Sequence, residues 1–380
     1  MNVPSPIVLT LEQLSSGEDS ERRCDALPAS PGIYCLRLAG GPPHVARCVN
    51  LRKRLRRILF PSQGRTENPS TAFRGRLQQI ECWPTGSKLE TSLVLYAITK
   101  ELFPDSYPRR LRLRTPWFLG LTAADAFPRL AFVNRLPRRH GPLYGPFASR
   151  DLAQIYEEQV AGLFQIRRCP EILAPSFDHP GCIYGEMNQC LRPCQRAVTA
   201  EEYGAEAMRV AEFLATNGRS TLAALSVERE AASEALDFER AALLHKRIER
   251  VKGAMAARDP VVADISQFNG IALTRSNQES RFCLWPMRDG LWSDPLRIEF
   301  SPEQPRTRSL DAALREDLTA ALAANPGPGR RVEHLALFLR WHRSSWRDGE
   351  WFPFRTLGDL NYRKLVREIS KLAKNNSQSC

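Results

Sequence analysis

The chain has 380 residues, 43% of them hydrophobic, enough to bury real cores and to build two to four domains rather than one. Its net charge of +12 favours a polyanionic partner. No apolar run approaches the roughly 18–20 residues of a membrane span, and the opening "MNVPSPIVLTLEQLSSGEDSE" lacks a basic-then-apolar signal pattern. A cytoplasmic protein with no membrane partner is therefore expected.

Residues 1–25 read as an N-terminal extension. From 26 to 120, short β-like runs (Ile33–Leu38, His44–Cys48) alternate with helical stretches (Leu51–Leu59, Leu89–Leu102), the pattern of a small α/β domain. The first helix, in "VNLRKRLRRIL", carries Arg52, Lys53, Arg54, Arg56 and Arg57. On pattern alone such a run is a solvated face, although it also suits phosphate contact. The runs "RRLRLR" (109–114) and "RLPRRH" (135–140) add basic surface. Between 121 and 200, "FPRLAFVNR" reads as a strand and "SRDLAQIYEEQVAGLF" as a helix with Ser149 as N-cap, ahead of a cysteine-rich loop. Residues 201–258 are almost continuously helical, with a break at "TNGRS". From 259 to 380, strand-and-turn character ("GIALTRS", "RFCLWPMRDGLW", "PLRIEF") gives way to helices near 309–323 and 331–343, and "KNNSQSC" should fray. Trp341, Trp346 and Trp351 are read as core rather than as a base-stacking surface. The whole predicts a multidomain α/β plus α protein ending in a mixed α+β domain.

Ten cysteines in a reducing compartment argue against a disulfide framework. Four of them, Cys169, Cys182, Cys190 and Cys194, fall within "CPEILAPSFDHPGCIYGEMNQCLRPC", separated by twelve, seven and three residues. Four loop thiolates can close a tetrahedral site and staple a segment too poor in apolar residues to fold alone. Structural zinc usually uses paired Cys-x-x-Cys knuckles, which are missing here, and four thiolates equally suit an iron–sulfur cluster. Arg167, Arg168, Arg192 and Arg196 flank the loop, so a phosphate backbone lying across it is a further expectation.

The strings "FPRLAFVNRL…YGPFASRDLAQIYEEQVAGLFQIRRC", the four-cysteine spacing and "EALDFERAALLHKRIERV" (234–251) occur in this order in the UvrC family, the excinuclease subunits of bacterial nucleotide excision repair. The chain resembles that family from about Pro31 to Asp264, most strongly over 127–251. The resemblance implies a GIY-YIG-like nuclease domain (26–120), a cysteine motif holding a [4Fe–4S] cluster, with zinc the alternative, and a UVR helical hairpin (within 201–258) that docks on UvrB. Full-length members add an RNase H-like nuclease and a DNA-binding tail. Only about 120 residues follow the hairpin here, so the chain looks like the shorter, Cho-like arrangement.

Carried onto this sequence, the resemblance places the first motif tyrosine at Tyr34, where it can polarise the attacking water. The catalytic arginine falls at Arg54, whose planar fork suits two phosphate oxygens, and the basic position after the second motif falls at Arg47. Three positions depart from the pattern. The second tyrosine is His44, still able to act as a base near neutrality, and its glycine is Ala46. In "SKLETSLVLYAITKELFP" the metal-binding glutamate is replaced by Leu95, or by Tyr96 if the alignment shifts by one. Neither can hold Mg²⁺, which takes oxygen ligands. At about 100° per residue, Glu90 and Glu101 lie about 140° and 120° from position 95, so a carboxylate returns only if the ungapped alignment fails or if Glu81 or Glu90 is recruited from another direction. The sequence thus predicts a DNA-holding, UvrB-docking protein with an impaired nuclease centre; a Mg²⁺-dependent endonuclease nicking beside a lesion is the alternative. For docking, Leu236, Phe238 and Ala242 are the candidate contacts, and Glu228, Glu230, Glu234, Asp237 and Glu239 give the hairpin an acidic character.

Overall fold

The computed structural model describes residues 4–10, 22, 24–60, 76–122, 125–138, 140–278, 281–300, 309–323 and 331–377. Much of the expected extension, Arg139 of "RLPRRH" and the last three residues of "KNNSQSC" lie outside them. The protein is mixed α/β and divides into two compact units, residues 1–114 with 269–380, and residues 115–268. The five segments read from the sequence are thus gathered into two bodies, one of them assembled from both ends of the chain.

The front of the first unit is a four-stranded antiparallel sheet in the order β1-β4-β2-β3, formed by β1 (Ile7–Thr10), β2 (Gly32–Leu38), β3 (His44–Cys48) and β4 (Leu77–Pro84). Strand β1, inside the segment read as an extension, closes the sheet by pairing Val8 with Glu81. Alternation of side chains across a strand separates two faces. Tyr34, Leu36, Ile80 and Cys82 point to one, where Leu51, Leu55 and Ile58 of helix α1 (Leu51–Leu59) cover them. Ile33, Cys35 and Trp83 point to the other and meet Val94 and Ile98 of helix α2 (Lys88–Leu102). Both helices start on the signals their sequences offer: Asn50 accepts from Lys53 N at 2.9 Å, and Ser87 accepts from Glu90 N at 3.0 Å. A single turn, α3 (Tyr107–Arg110), follows.

The second unit opens with strands β5 (Trp117–Leu121), β6 (Leu130–Val133) and β7 (Leu143–Phe147) and helix α4 (Arg150–Ala161), capped by Ser149 as expected. The cysteine loop contains one helical turn, α5 (Ile183–Glu186). Helix α6 (Ala200–Thr216) starts at a capping box in which the Thr199 and Glu202 side chains bond each other's backbone N–H. It stops at Asn217 and Gly218, both left-handed, the break foreseen at "TNGRS". Helices α7 (Arg219–Glu234) and α8 (Phe238–Ala257) form an antiparallel hairpin, and β8 (Ala263–Asp264) joins the sheet in the order β6-β5-β7-β8. One core unites these elements, with Tyr156, Val160, Tyr203, Phe213, Leu244 and Ile248 at its centre.

Residues 269–380 complete the first unit with strands β9 (Asn269–Arg275), β10 (Arg281–Arg288), β11 (Leu291–Trp292), β12 (Leu296–Glu299) and β13 (Gly349–Phe354) and helices α9 (Leu310–Ala323), α10 (Arg331–His342) and α11 (Tyr362–Ser377). The path β11-β10-β9-β13, with β12 also pairing β10, is antiparallel throughout. Leu314, Leu318, Leu365 and Ile369 of α9 and α11 pack on Ile271, Leu273 and Phe282. Trp341 is fully buried and Trp351 lies 6.1 Å from Trp292 and 4.7 Å from Phe338, so both serve a core as expected.

Candidate functional site

Strand β2 sets Tyr34 opposite Ala46 on β3 and Cys82 on β4, on the face that α1 covers. The Tyr34 ring is buried, and its hydroxyl accepts a hydrogen bond from Arg54 Nε at 3.0 Å. His44, two residues before Ala46 on the same face, lies 6.2 Å from the Tyr34 ring. Burial, and then the Arg54 charge, hold its imidazole below the usual range, which favours the neutral form. A phenol, an imidazole and a guanidinium are therefore gathered on the α1 side of the sheet. Arg47 does not join them: it sits opposite Ile33, on the other face of the sheet.

Within the basic helix the charges divide. Arg52 Nε donates to Leu27 O at 2.7 Å, and Arg56 pairs with Asp25 at 3.3 Å, so both hold the chain before β2. Lys53 and Arg57 are exposed.

None of the three candidate carboxylates faces this group. Glu81 lies opposite Cys35, so alternation sends it to the α2 side, where Arg37 clamps both its oxygens at 3.1 and 3.2 Å. Glu81, Arg37 and Glu101 line a cavity of about 370 Å³ there, together with Trp83 and Ile98. Glu90 is buried at the start of α2, accepts from Gly86 N at 2.7 Å and lies 3.8 Å from Arg297. Burial pushes its carboxyl up, against the Gly86 N–H and the Arg297 charge. Leu95 packs against the Ile33, Cys35 and Trp83 cluster.

The outer side of α2 is taken by residues from the far end of the sequence. Tyr96 and Tyr107 both donate their hydroxyls to the Glu333 carboxylate of α10, and Lys100 Nζ reaches it at 3.0 Å. Arg340 of α10 donates to Leu111 O at 2.9 Å and Arg112 O at 2.6 Å, satisfying carbonyls at the end of α3. Lys88 N donates to Asp348. Gly86 lies so close to β9's exit that an added Cβ would stand 2.0 Å from Ser276 C, so only glycine fits. Sequence reasoning missed Glu333, whose polar partners lie more than 220 residues away.

The four cysteines share one loop. Cys190 and Cys194 are buried, Cys169 half-buried and Cys182 exposed. Burial raises the Cys190 and Cys194 thiols, and the neighbouring cysteines add to the rise. Arg192 N donates to Cys190 Sγ at 3.4 Å, and Arg167 Nη1 approaches Cys169 Sγ at 3.7 Å. Even so, among the described residues no three His, Cys, Asp or Glu side chains converge into a ready metal site. The donor chemistry suits a thiophilic metal; the arrangement is a gathering of thiols rather than a closed cage.

The arginines around the loop do different work from one another. Arg167 is buried, pairs with Asp125 at 2.9 Å and donates to Phe127 O, Cys169 O and Glu171 O. It is a structural knot, which corrects the expectation that it contacts phosphate. Arg168 lays its guanidinium 4.9 Å from the Tyr184 ring centre, and Arg196 lays its own 5.2 Å from that of Phe177.

At the hairpin turn, Leu236 adopts a left-handed φ of 59° and Asp237 caps α8 by accepting from Arg240 N at 3.0 Å. Leu236, Phe238 and Ala242 are all exposed, while Leu244 and Ile248 face the core. Val227 and Leu243 of the same two helices are exposed as well.

Comparison with known proteins matches residues 117–213 to the family model described as UvrC/Cho excinuclease, middle domain. The UvrABC system protein C of Alcanivorax borkumensis is 31% identical over 226 residues, 58% of this chain and 36% of that protein. That of Desulforudis audaxviator is 27% identical over 301 residues, 76% of this chain and 47% of its own. The protein of the same name from Nitratidesulfovibrio vulgaris is 31% identical over 260 residues, 65% and 37%. The chain thus spans less than half the length of each of these curated relatives. No solved structure matches it.

Proposed function

We propose that the chain is a member of the UvrC family, to which its middle segment and its relatives point, and that it serves nucleotide excision repair by holding DNA and docking on UvrB, with a GIY-YIG nuclease centre impaired by loss of its metal carboxylate. One observation carries this reading: Glu81, Glu90 and the side chain at position 95 all lie away from the Tyr34–Arg54 pair. Stabilising a pentavalent phosphate takes a cation for the equatorial oxygens and a metal for the attacking or leaving oxygen. Arg54 supplies the first, and Tyr34 with His44 can orient and deprotonate a water. For the second, none of the candidate carboxylates among the described residues stands beside the pair, at a cost of several kcal/mol of transition-state stabilisation, hundreds-fold in rate.

Cys169, Cys182, Cys190 and Cys194 are the residues that would hold a [4Fe–4S] cluster or, as the alternative, zinc. When bound, such a group ties together a loop with few apolar contacts of its own. Leu236, Phe238 and Ala242 present an exposed apolar tip suited to a matching hairpin on UvrB. Lys53 and Arg57 are left for phosphate, with Arg52 and Arg56 held on the chain before β2.

The intact Tyr34–Arg54 hydrogen bond favours a second reading, an active Mg²⁺-dependent endonuclease that nicks beside a lesion. The two separate in one assay, in which the purified protein is incubated with UvrA, UvrB and damaged duplex in Mg²⁺, beside Arg54→Ala. Impairment predicts no nick above the Arg54→Ala background; an Arg54-dependent nick establishes the endonuclease. Docking is checked by co-elution with UvrB, which Phe238→Asp should weaken at least tenfold by placing a charge in an apolar contact.

A further inference from the structure

The cysteine loop turns apolar side chains outward. Ile172 is 96% exposed, Phe177 77%, and Ile183 and Met187 58% each, with Tyr184 also exposed. Isolated exposed apolar residues are ordinary, but five within sixteen residues of one loop are a concentration that calls for a function. The two aromatic rings carry the sharper signal. Each has a guanidinium over one face, Arg196 on Phe177 and Arg168 on Tyr184, and both arginines are fixed by a bond to a main-chain oxygen, Pro175 O at 3.1 Å and Ala161 O at 3.1 Å. A ring backed by a cation and exposed to solvent is a platform on which a nucleobase stacks while the cation attracts the adjoining phosphate.

The occupant can be narrowed. Arg168, Arg192 and Arg196 stand against Glu171, Asp178 and Glu186 on the same stretch, so the loop is nearly neutral and offers weak electrostatic grip on an intact duplex. Its gain comes from ring faces, which only an unpaired base can meet. Ile183 and Met187, four residues apart and so on one side of the α5 turn, add aliphatic bulk of the kind that wedges between base steps.

We propose that Phe177 and Tyr184, each backed by an arginine, stack unpaired bases of a distorted DNA strand beside the cysteine cluster. This deepens the DNA-holding role proposed above and rests on it. The test measures fluorescence anisotropy of labelled oligonucleotides of one sequence, as a single strand, a matched duplex and a duplex with a central bubble. It uses the full chain as purified, with bound metal and melting temperature recorded for every variant. Phe177→Ala and Tyr184→Ala should each weaken single-strand and bubble binding about tenfold and leave matched duplex within about twofold, while Phe177→Trp restores it. If an alanine variant loses its metal, Phe177→Leu keeps the bulk, removes the ring and must give the same loss. Because few phosphates are gripped, binding to the single strand should weaken only shallowly with salt, with a log–log slope near −2.

Equal losses on all three DNAs, or none, overturn the proposal. So does loss of UvrB capture with DNA binding intact, which would make the patch a protein contact. Failure of the wild type to capture UvrB strikes the repair reading instead and leaves the stacking result to be judged separately.

Discussion

The hydrogen bond from Arg54 to the buried Tyr34 hydroxyl fixes one donor of the guanidinium and leaves the rest of the fork available. The same charge acts on His44, which is already disfavoured as a cation by burial. Its folded-state pKa is therefore depressed, and the stability it contributes is present above the ordinary value near 6.5 and lost as pH falls through the lower one. Arg54→Ala should move the His44 titration up towards the ordinary value, read from its ring-proton shift by NMR. An unchanged titration would mean that burial alone sets it. The alternation of β2 and β3, and hence the shared face of Tyr34, His44 and Ala46, follows from the sequence pattern. Arg47 shows its limit: a motif position carries a residue type, but a single step along a strand decides which side of the sheet it serves.

Helix α2 illustrates the same point at the level of an element. Its extent is plain in the sequence, and so is the absence of a carboxylate at position 95. The polar contacts to its outer side are not, because they come from Glu333 of α10 and from Asp348 just after that helix. No local pattern encodes a pairing across so long a separation. Burial works to raise the Glu333 carboxyl, but hydrogen bonds from Tyr107, Tyr96 and Lys100, with the lysine charge, outweigh it and hold the group below the usual carboxylate range. That contribution is complete above the unfolded pKa, near 4.3, and drains away as pH falls through the folded one. The melting-temperature gap between wild type and Glu333→Gln should be largest near neutrality and narrow below about pH 4. A gap that stays constant across this window would show the carboxylate to be energetically idle. The α7–α8 hairpin was more legible, since "LDF" announces its turn and the buried Leu244 and Ile248 repeat at helical spacing.

Over the whole molecule, the connectivity separates two kinds of body. Residues 115–268 are continuous and own a single core, so they should fold as an isolated fragment with full helicity and one cooperative melt by circular dichroism. Residues 1–114 alone should not. Tyr96, 1% exposed in the full chain, would lose the Glu333 carboxylate to which its hydroxyl donates and the cover of α10, and the fragment should bind a hydrophobic dye or precipitate. A soluble, cooperatively melting 1–114 would show that the front sheet is self-sufficient. The cysteine loop is the part least readable in advance: its apolar residues have no periodicity, and Arg167's four side-chain partners come from two stretches some forty residues apart.

A body built from both ends of a chain is also built out of order in time. The ribosome releases residues 1–114 first, then the entire 115–268 stretch, and only afterwards the strands and helices that embrace α2. At about 5–20 residues per second, the front half waits tens of seconds for its other half, with the seat of Glu333 bare. Any message truncated past residue 268 would yield a sound middle joined to an orphaned front, a natural substrate for chaperones and proteases.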